Sequence, residues 1–121
     1  MAAPNLVSPT TINGKTIGAP LTTSSADILT NSAASGKVLK VNAVYVSNID
    51  GTASAEVTVT FYDSSAAVSY NLASTIAVPA DATLVVVDKD AYVYLEEGDK
   101  IAAFANASGD LEIVISYEDI S

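Results

Sequence analysis

From residue 37 onward apolar and polar residues alternate in short runs, the period of two that a half-buried β-strand imposes. In "AEVTVTFYD" (55–63) Val57, Val59 and Phe61 share one face, and Glu56, Thr58, Thr60 and Tyr62 share the other. "LEIVISYE" (111–118) sets Leu111, Ile113, Ile115 and Tyr117 against Glu112, Val114 and Ser116. "VSYNLASTIAV" (68–78) keeps one parity through Val68, Tyr70, Leu72, Ile76 and Val78, broken only at Ser74, which predicts a long strand or two strands joined by a bend. "TLVVVD" (83–88) is apolar on both faces and predicts a strand covered on both sides. In "KVLKVNAVYVSNID" (37–50) Leu39 and Val41 share a face while Val44 and Val46 share the opposite one. A β-bulge near Asn42–Ala43, or a strand that changes sheets, would reconcile them. No segment carries a 3.6-residue period, and "SSADILTNSAAS" (24–35) offers at most one helical turn.

Turn-forming clusters separate these runs at Asn31–Gly36, Asn48–Thr52, Asp63–Ala66, Pro79–Ala82, Asp88–Asp90, Gly98–Asp99 and Asn106–Asp110. Signals so regularly spaced between short strands predict an all-β antiparallel sandwich or barrel. Gly98–Asp99 should turn a strand at Tyr92–Glu97 into one at Lys100–Ala105, with the acids at its tip in water. Residues 1–25 differ: Pro4, Pro9 and Pro20 lie among Ser, Thr and Asn, a composition that favours extended backbone. They predict an extended N-terminal arm ahead of a sandwich domain at 26–121. Within the arm, Asn13–Gly14 is a type I′ turn signal that would pair Thr10–Ile12 with Lys15–Ile17. Stretched out, 25 residues reach on the order of 80 Å, so the arm either packs on its own domain or clasps a neighbouring subunit. Its sizeable apolar residues, Leu6, Val7, Ile12, Ile17 and Leu21, are the candidate partner contacts.

Composition narrows the chemistry. At 121 residues the chain fits one domain, and its apolar half is rich in Ala and Val, so the core should be built from many small contacts. There is no Cys, His or Arg. That removes disulfides, thiol nucleophiles, the usual near-neutral general base and the planar fork for phosphate or guanine. A net charge of −9 repels nucleic acid and anionic lipid. The longest apolar runs, 84–87 and 101–105, fall far short of the roughly 20 residues that span a bilayer, and no signal peptide is read at the start. A soluble, cytoplasmically synthesised protein is expected, with no role for nucleic acid or membrane.

The acids Asp88, Asp90, Glu96, Glu97 and Asp99 are close in sequence, and calcium takes clustered carboxylates. Their spacing does not match an EF-hand loop, and solvated turns are the simpler expectation, so no metal or cofactor is predicted. Paired carboxylates acting on a sugar would want aromatic walls, and there is no Trp. Tyr45, Tyr62, Tyr70, Tyr92, Tyr94 and Tyr117 all fall within predicted strands and are expected as core or interface side chains. Ser and Lys are present, but no nucleophile elbow marks a catalytic serine. No catalytic residue is predicted and the chain is not expected to be an enzyme. Asn106–Ala107–Ser108 matches a glycosylation sequon but reads as the polar loop before the last strand.

The "VYVSNIDGT" strand end (44–52), the "VPADATLVVVDKD" connection (78–90) and the "YLEEGDKI" turn (94–101) before a C-terminal "ISYEDIS", together with "INGKT" (12–16), resemble small virion structural proteins of tailed bacteriophages of aquatic bacteria. The likeness covers about residues 36–121. It implies a jelly-roll-like or immunoglobulin-like β-sandwich present in many copies on the particle, as a head decoration (cement) protein or a neck or tail component. It carries over no catalytic residues. The expected partners are the major capsid protein or other virion proteins, and further copies of this chain, a trimer being favoured among closed assemblies. The alternatives are a neck, tail or fibre component forming a ring or collar, and a module that binds host glycans, which the lack of Trp disfavours. On the decoration reading, removing residues 1–24 should leave a folded sandwich that no longer attaches.

Overall fold

The structure is a computed structural model that describes residues 4–121. It has nine strands: β1 (Ile12–Pro20), β2 (Ala26–Thr30), β3 (Val38–Asn48), β4 (Ala55–Asp63), β5 (Val68–Val78), β6 (Thr83–Val87), β7 (Val93–Leu95), β8 (Lys100–Ala105) and β9 (Leu111–Ile120). One 3-10 turn, Lys89–Ala91, interrupts them. Every turn cluster read from the sequence falls at a connection between strands. They form two antiparallel sheets: β1-β9-β3-β6, with β7 also on β3, and β2-β8-β4-β5.

The pairing is nested. β4 pairs β5, β3 pairs β6 and β7, β2 pairs β8, and β1 pairs β9. The chain is therefore one long hairpin folded at 64–67 and rolled so that β9 also meets β3 and β8 also meets β4. That is the jelly-roll arrangement of a β-sandwich, which decides between the two topologies left open by the sequence. Ser64–Ala67 makes the reversal, closed by Ala67 N–H donating to Ser64 O.

Inward-facing Leu39, Val41, Val44 and Val46 of β3 and Leu111, Ile113, Ile115 and Tyr117 of β9 meet Val57 and Val59 of β4 and Ile101, Ala103 and Ala105 of β8. Each fully buried Val, Leu or Ile contributes about 1.5–3 kcal/mol. The parity break in β3 is a bulge: Val41 pairs Tyr117 and Ala43 pairs Ser116, so Asn42 is the extra residue, and the strand stays in one sheet. The break in β5 is also irregular pairing, with Thr75 at φ 46° and two register shifts against β4. Two buried asparagines tie loops to the sheets. Asn31 Nδ2 donates to Lys37 O and Leu95 O, and Asn48 Nδ2 to Ala53 O and Val78 O, each at 2.9 Å.

Several expectations change. The segment 12–20 is not a small hairpin. It runs straight through Asn13–Gly14 as β1, with nine residues in register from Ile12↔Ile120 to Pro20↔Glu112. A nine-pair ladder, with Ile17 and Ala19 resting on the core, outweighs the preference of two residues for a turn. The boundary drawn at 25/26 accordingly moves: β1 is an edge strand of the sandwich and Leu21 is part of its core. Residues 1–3 of the expected arm lie outside the described residues. "SSADILTNSAAS" contains β2 instead of a helical turn, because Ile28 and Leu29 are drawn onto β8 and the core.

"TLVVVD" is an edge strand, not a doubly covered one. Leu84 and Val87 turn inward while Val85 is 50% exposed. Tyr92–Glu97 and Lys100–Ala105 are not a hairpin, since β7 lies in one sheet and β8 in the other. The turn between them is a corner, and its acids are not all in water. Asp99 is 3% exposed. Its Oδ1 accepts from Ser64 N–H (2.9 Å) and its Oδ2 from Glu96 N–H (3.0 Å). Gly98 takes φ +91° there and donates its N–H to Asn31 O.

Candidate functional site

The five arm residues separate into two groups. Leu21 is 1% exposed, its N–H donating to Leu111 O, and Ile17 packs against the core. Both are spent inside their own chain, so they are removed from the partner contacts. Leu6, Val7 and Ile12 remain exposed, Val7 to 91%. Asn5 to Ser8 form a turn closed by Ser8 N–H to Asn5 O and Val7 N–H to Asn5 Oδ1, with Val7 standing clear of it. Pro4 and Leu6 line a hollow of about 360 Å³ with Val38, Phe61 and Tyr94. Behind the turn, Thr10 and Thr11 both donate N–H to Ser121 O, which fixes the chain's entry into β1.

An ion triad holds β1 in place. Asp119 Oδ2 lies 3.2 Å from Lys15 Nζ on β1 and 3.1 Å from Lys37 Nζ. Burial pushes the Asp119 carboxyl up, but hydrogen bonds and charge from Lys37 and Lys15 outweigh it and hold the group below the ordinary carboxylate range. Three of the five acids weighed for calcium have structural tasks: Asp88 accepts from Asp90 N–H, Glu97 accepts from Gly36 N–H, and Asp99 clamps the corner. Among the described residues no group of three or more acidic side chains is gathered as a metal would need.

Two features stand open on the surface. The first is β5, the edge of its sheet. Its eleven residues include no charged residue, Pro or Gly, and Val68, Tyr70 and Ile76 are exposed, Tyr70 to 56%. An edge strand presents unpaired N–H and C=O groups along its free side, and proteins normally blunt such edges with charge or Pro. Of the opposite sheet's two edges, β1 is blunted in this way by Lys15 and Pro20, and β6 is short, at five residues. β5 relies only on its irregular pairing, which twists it.

The second is a groove on the outer face of the other sheet. β6 ends opposite Val44 and β7 begins opposite Val41, so residues 88–92 leave the ladder at the level where Asn42 bulges from β3. The gap is a groove of about 490 Å³. Lys40, Asn42, Ser116 and Glu118 line it with Tyr45 and Tyr92. Asn42 Nδ2 donates to Glu118 Oε2 at 2.9 Å, and Lys40 Nζ sits 4.4 Å from the Tyr92 ring centroid. Tyr92 meets Tyr94 edge-on at 5.4 Å. Of the tyrosines expected in core or interface, Tyr117 lies in the core, and Tyr45, Tyr70, Tyr92 and Tyr94 are exposed. The parity break at Asn42 was the sequence signal for this place, but the partners come from two strands, β3 and β9, and the loop at 88–92, which no local pattern joins.

No protein-family model matches the chain, and no curated protein matches it. Among solved structures, it is similar to a chain described under "Bacillus endospore appendages form a novel family of disulfide-linked pili", at 15% identity and a TM-score of 0.46, over 89% of this chain and 85% of that one.

Proposed function

We propose that this chain is a virion structural protein of a tailed bacteriophage, a capsid decoration protein that binds the head surface beside further copies of itself. The observation that carries the reading is β5: a charge-free edge strand about 35 Å long, open along one side. Such an edge is stable in a soluble protein when another chain completes it, through main-chain hydrogen bonds for affinity and alternate side chains for fit. Val68, Tyr70 and Ile76 supply those side chains, and the exposed Leu6, Val7 and Ile12 offer a separate contact near the N-terminus. The sequence resemblance to phage virion proteins names the partner, the major capsid protein or another virion protein.

The mechanism is mechanical. Many weak contacts repeated over a shell hold because rupture of one leaves its neighbours engaged at high effective concentration. A ring of copies, the favoured trimer included, requires β5 of one copy to meet a different surface of the next. The test is attachment of a β5 variant. Tyr70→Lys with Ile76→Lys places charge on an exposed edge, so the chain should stay folded, and decoration of isolated heads should fall at least tenfold. Full occupancy by the double variant would overturn the proposal. Copy number on the intact particle separates shell from collar: hundreds for the head, about a dozen for neck or tail.

A further inference from the structure

We infer that the groove over the bulge at Asn42 is a binding site for a neutral saccharide. Two independent irregularities create it at one level of the sheet: the extra residue in β3, and the departure of 88–92 from the neighbouring ladder. Its volume lies in the range of small-ligand sites, about 300–1,000 Å³.

The lining selects the ligand class. Tyr45, 39% exposed, offers an apolar ring face with a polar tip, suited to the C–H face of a pyranose ring, and exposed Tyr92, with Lys40 Nζ over its ring, adds a second aromatic wall. Between them lie a cation (Lys40), an amide (Asn42), a hydroxyl (Ser116) and a carboxylate (Glu118). Such a mixture of donors and acceptors fits vicinal hydroxyls, each of which both donates and accepts. The Asn42–Glu118 hydrogen bond fixes two of these groups before a ligand arrives, which lowers the ordering cost of binding. Lys40 and Lys89 face Asp88, Asp90 and Glu118 around the rim, a net charge of −1 that disfavours a phosphate, and among the described residues no three carboxylates are gathered for a cation. The polar floor argues equally against a purely apolar ligand.

The site is independent of the assembly reading, because β5 belongs to the other sheet. On a decorated particle it would give each copy a weak sugar contact, multiplied by copy number. The experiment is a panel of neutral oligosaccharides (gluco-, manno-, galacto- and N-acetylglucosamine oligomers) titrated into the full chain, followed by calorimetry and by amide NMR shifts. Saturable binding is expected, with shifts confined to 40–45, 88–92 and 114–118. Tyr45→Ala and Glu118→Gln should each weaken it at least tenfold, while Tyr70→Lys with Ile76→Lys leaves it unchanged. The inference is overturned if no member of the panel binds saturably at 10 mM (on the order of the weakest useful affinities), or if the shifts fall elsewhere and both groove variants bind as the parent does.

Discussion

Removing residues 1–21 should strip the sandwich of about half or more of its stability, and the size of the effect can be worked from Leu21. Its side chain is 1% exposed in the cluster formed by both sheets. Leu21→Ala should therefore cost about 3 kcal/mol, within the roughly 2–5 kcal/mol typical of buried leucine truncations. For a chain of this length that lowers the melting temperature by roughly 12 °C. The deletion removes more. The nine-pair ladder on β9 is lost, together with the burial of Ile17, the bonds of Thr10 and Thr11 to Ser121, and the Lys15–Asp119 pair. Ladder hydrogen bonds and the backbone entropy of ordering β1 roughly offset each other, at about 1 kcal/mol per residue on each side. The net loss is then set by apolar burial, with Leu21, Ile17 and the newly open flank of β9 together giving about 5–8 kcal/mol. A domain of this kind has about 5–15 kcal/mol in all. Urea denaturation followed by circular dichroism of the parent, Leu21→Ala, Val7→Ala and the deletion would decide it. Val7→Ala should be within about 0.5 kcal/mol of the parent. A deletion that melts cooperatively near the parent temperature would refute the reasoning and restore a detachable arm.

Acid should loosen β1 first. Because the Asp119 carboxyl is held below its ordinary value, its contribution is complete above the unfolded value, about 4. It is lost as pH falls through the lower folded-state value. Asp119→Asn should thus cost about 1 kcal/mol at pH 7 and progressively less as pH falls below about 4, read from melting curves across that range; a cost independent of pH would contradict the triad's role. At the corner, Asp99→Ala leaves the N–H groups of Ser64 and Glu96 without their acceptor, a loss of about 3 kcal/mol by denaturant titration. Gly98→Ala would set a Cβ 2.5 Å from Ser64 Oγ at φ +91° and should cost at least about 1 kcal/mol. If either corner variant is as stable as the parent, the clamp is not what orients β7 and β8.

Local periodicity carried much of the fold. The alternation in 55–63 and 111–118 placed Val57, Val59, Ile113 and Ile115 inward because side-chain parity in a strand is fixed by its own geometry. The turn clusters marked every connection from β2 onward, since Gly, Pro, Asn and Asp act on their own backbone. The parity break at Asn42 announced a bulge or a change of sheet for the same reason, and the pairing with β9 makes it a bulge. What lay beyond the sequence was every property that needs a partner strand. Asn13–Gly14 carries a turn preference, and only the ladder offered by β9 keeps it straight. Gly98–Asp99 was legible as a turn but not as a passage between sheets, a distinction set by where Asn31, Ser64 and Glu96 wait to bond it. Which apolar runs end as edges, as β5 and β6 do, depends on how the long hairpin rolls. The groove of Tyr45, Tyr92, Asn42 and Glu118 exists only after that rolling, because residues distant along the chain become neighbours only when hydrogen-bonded registers across strands have been chosen.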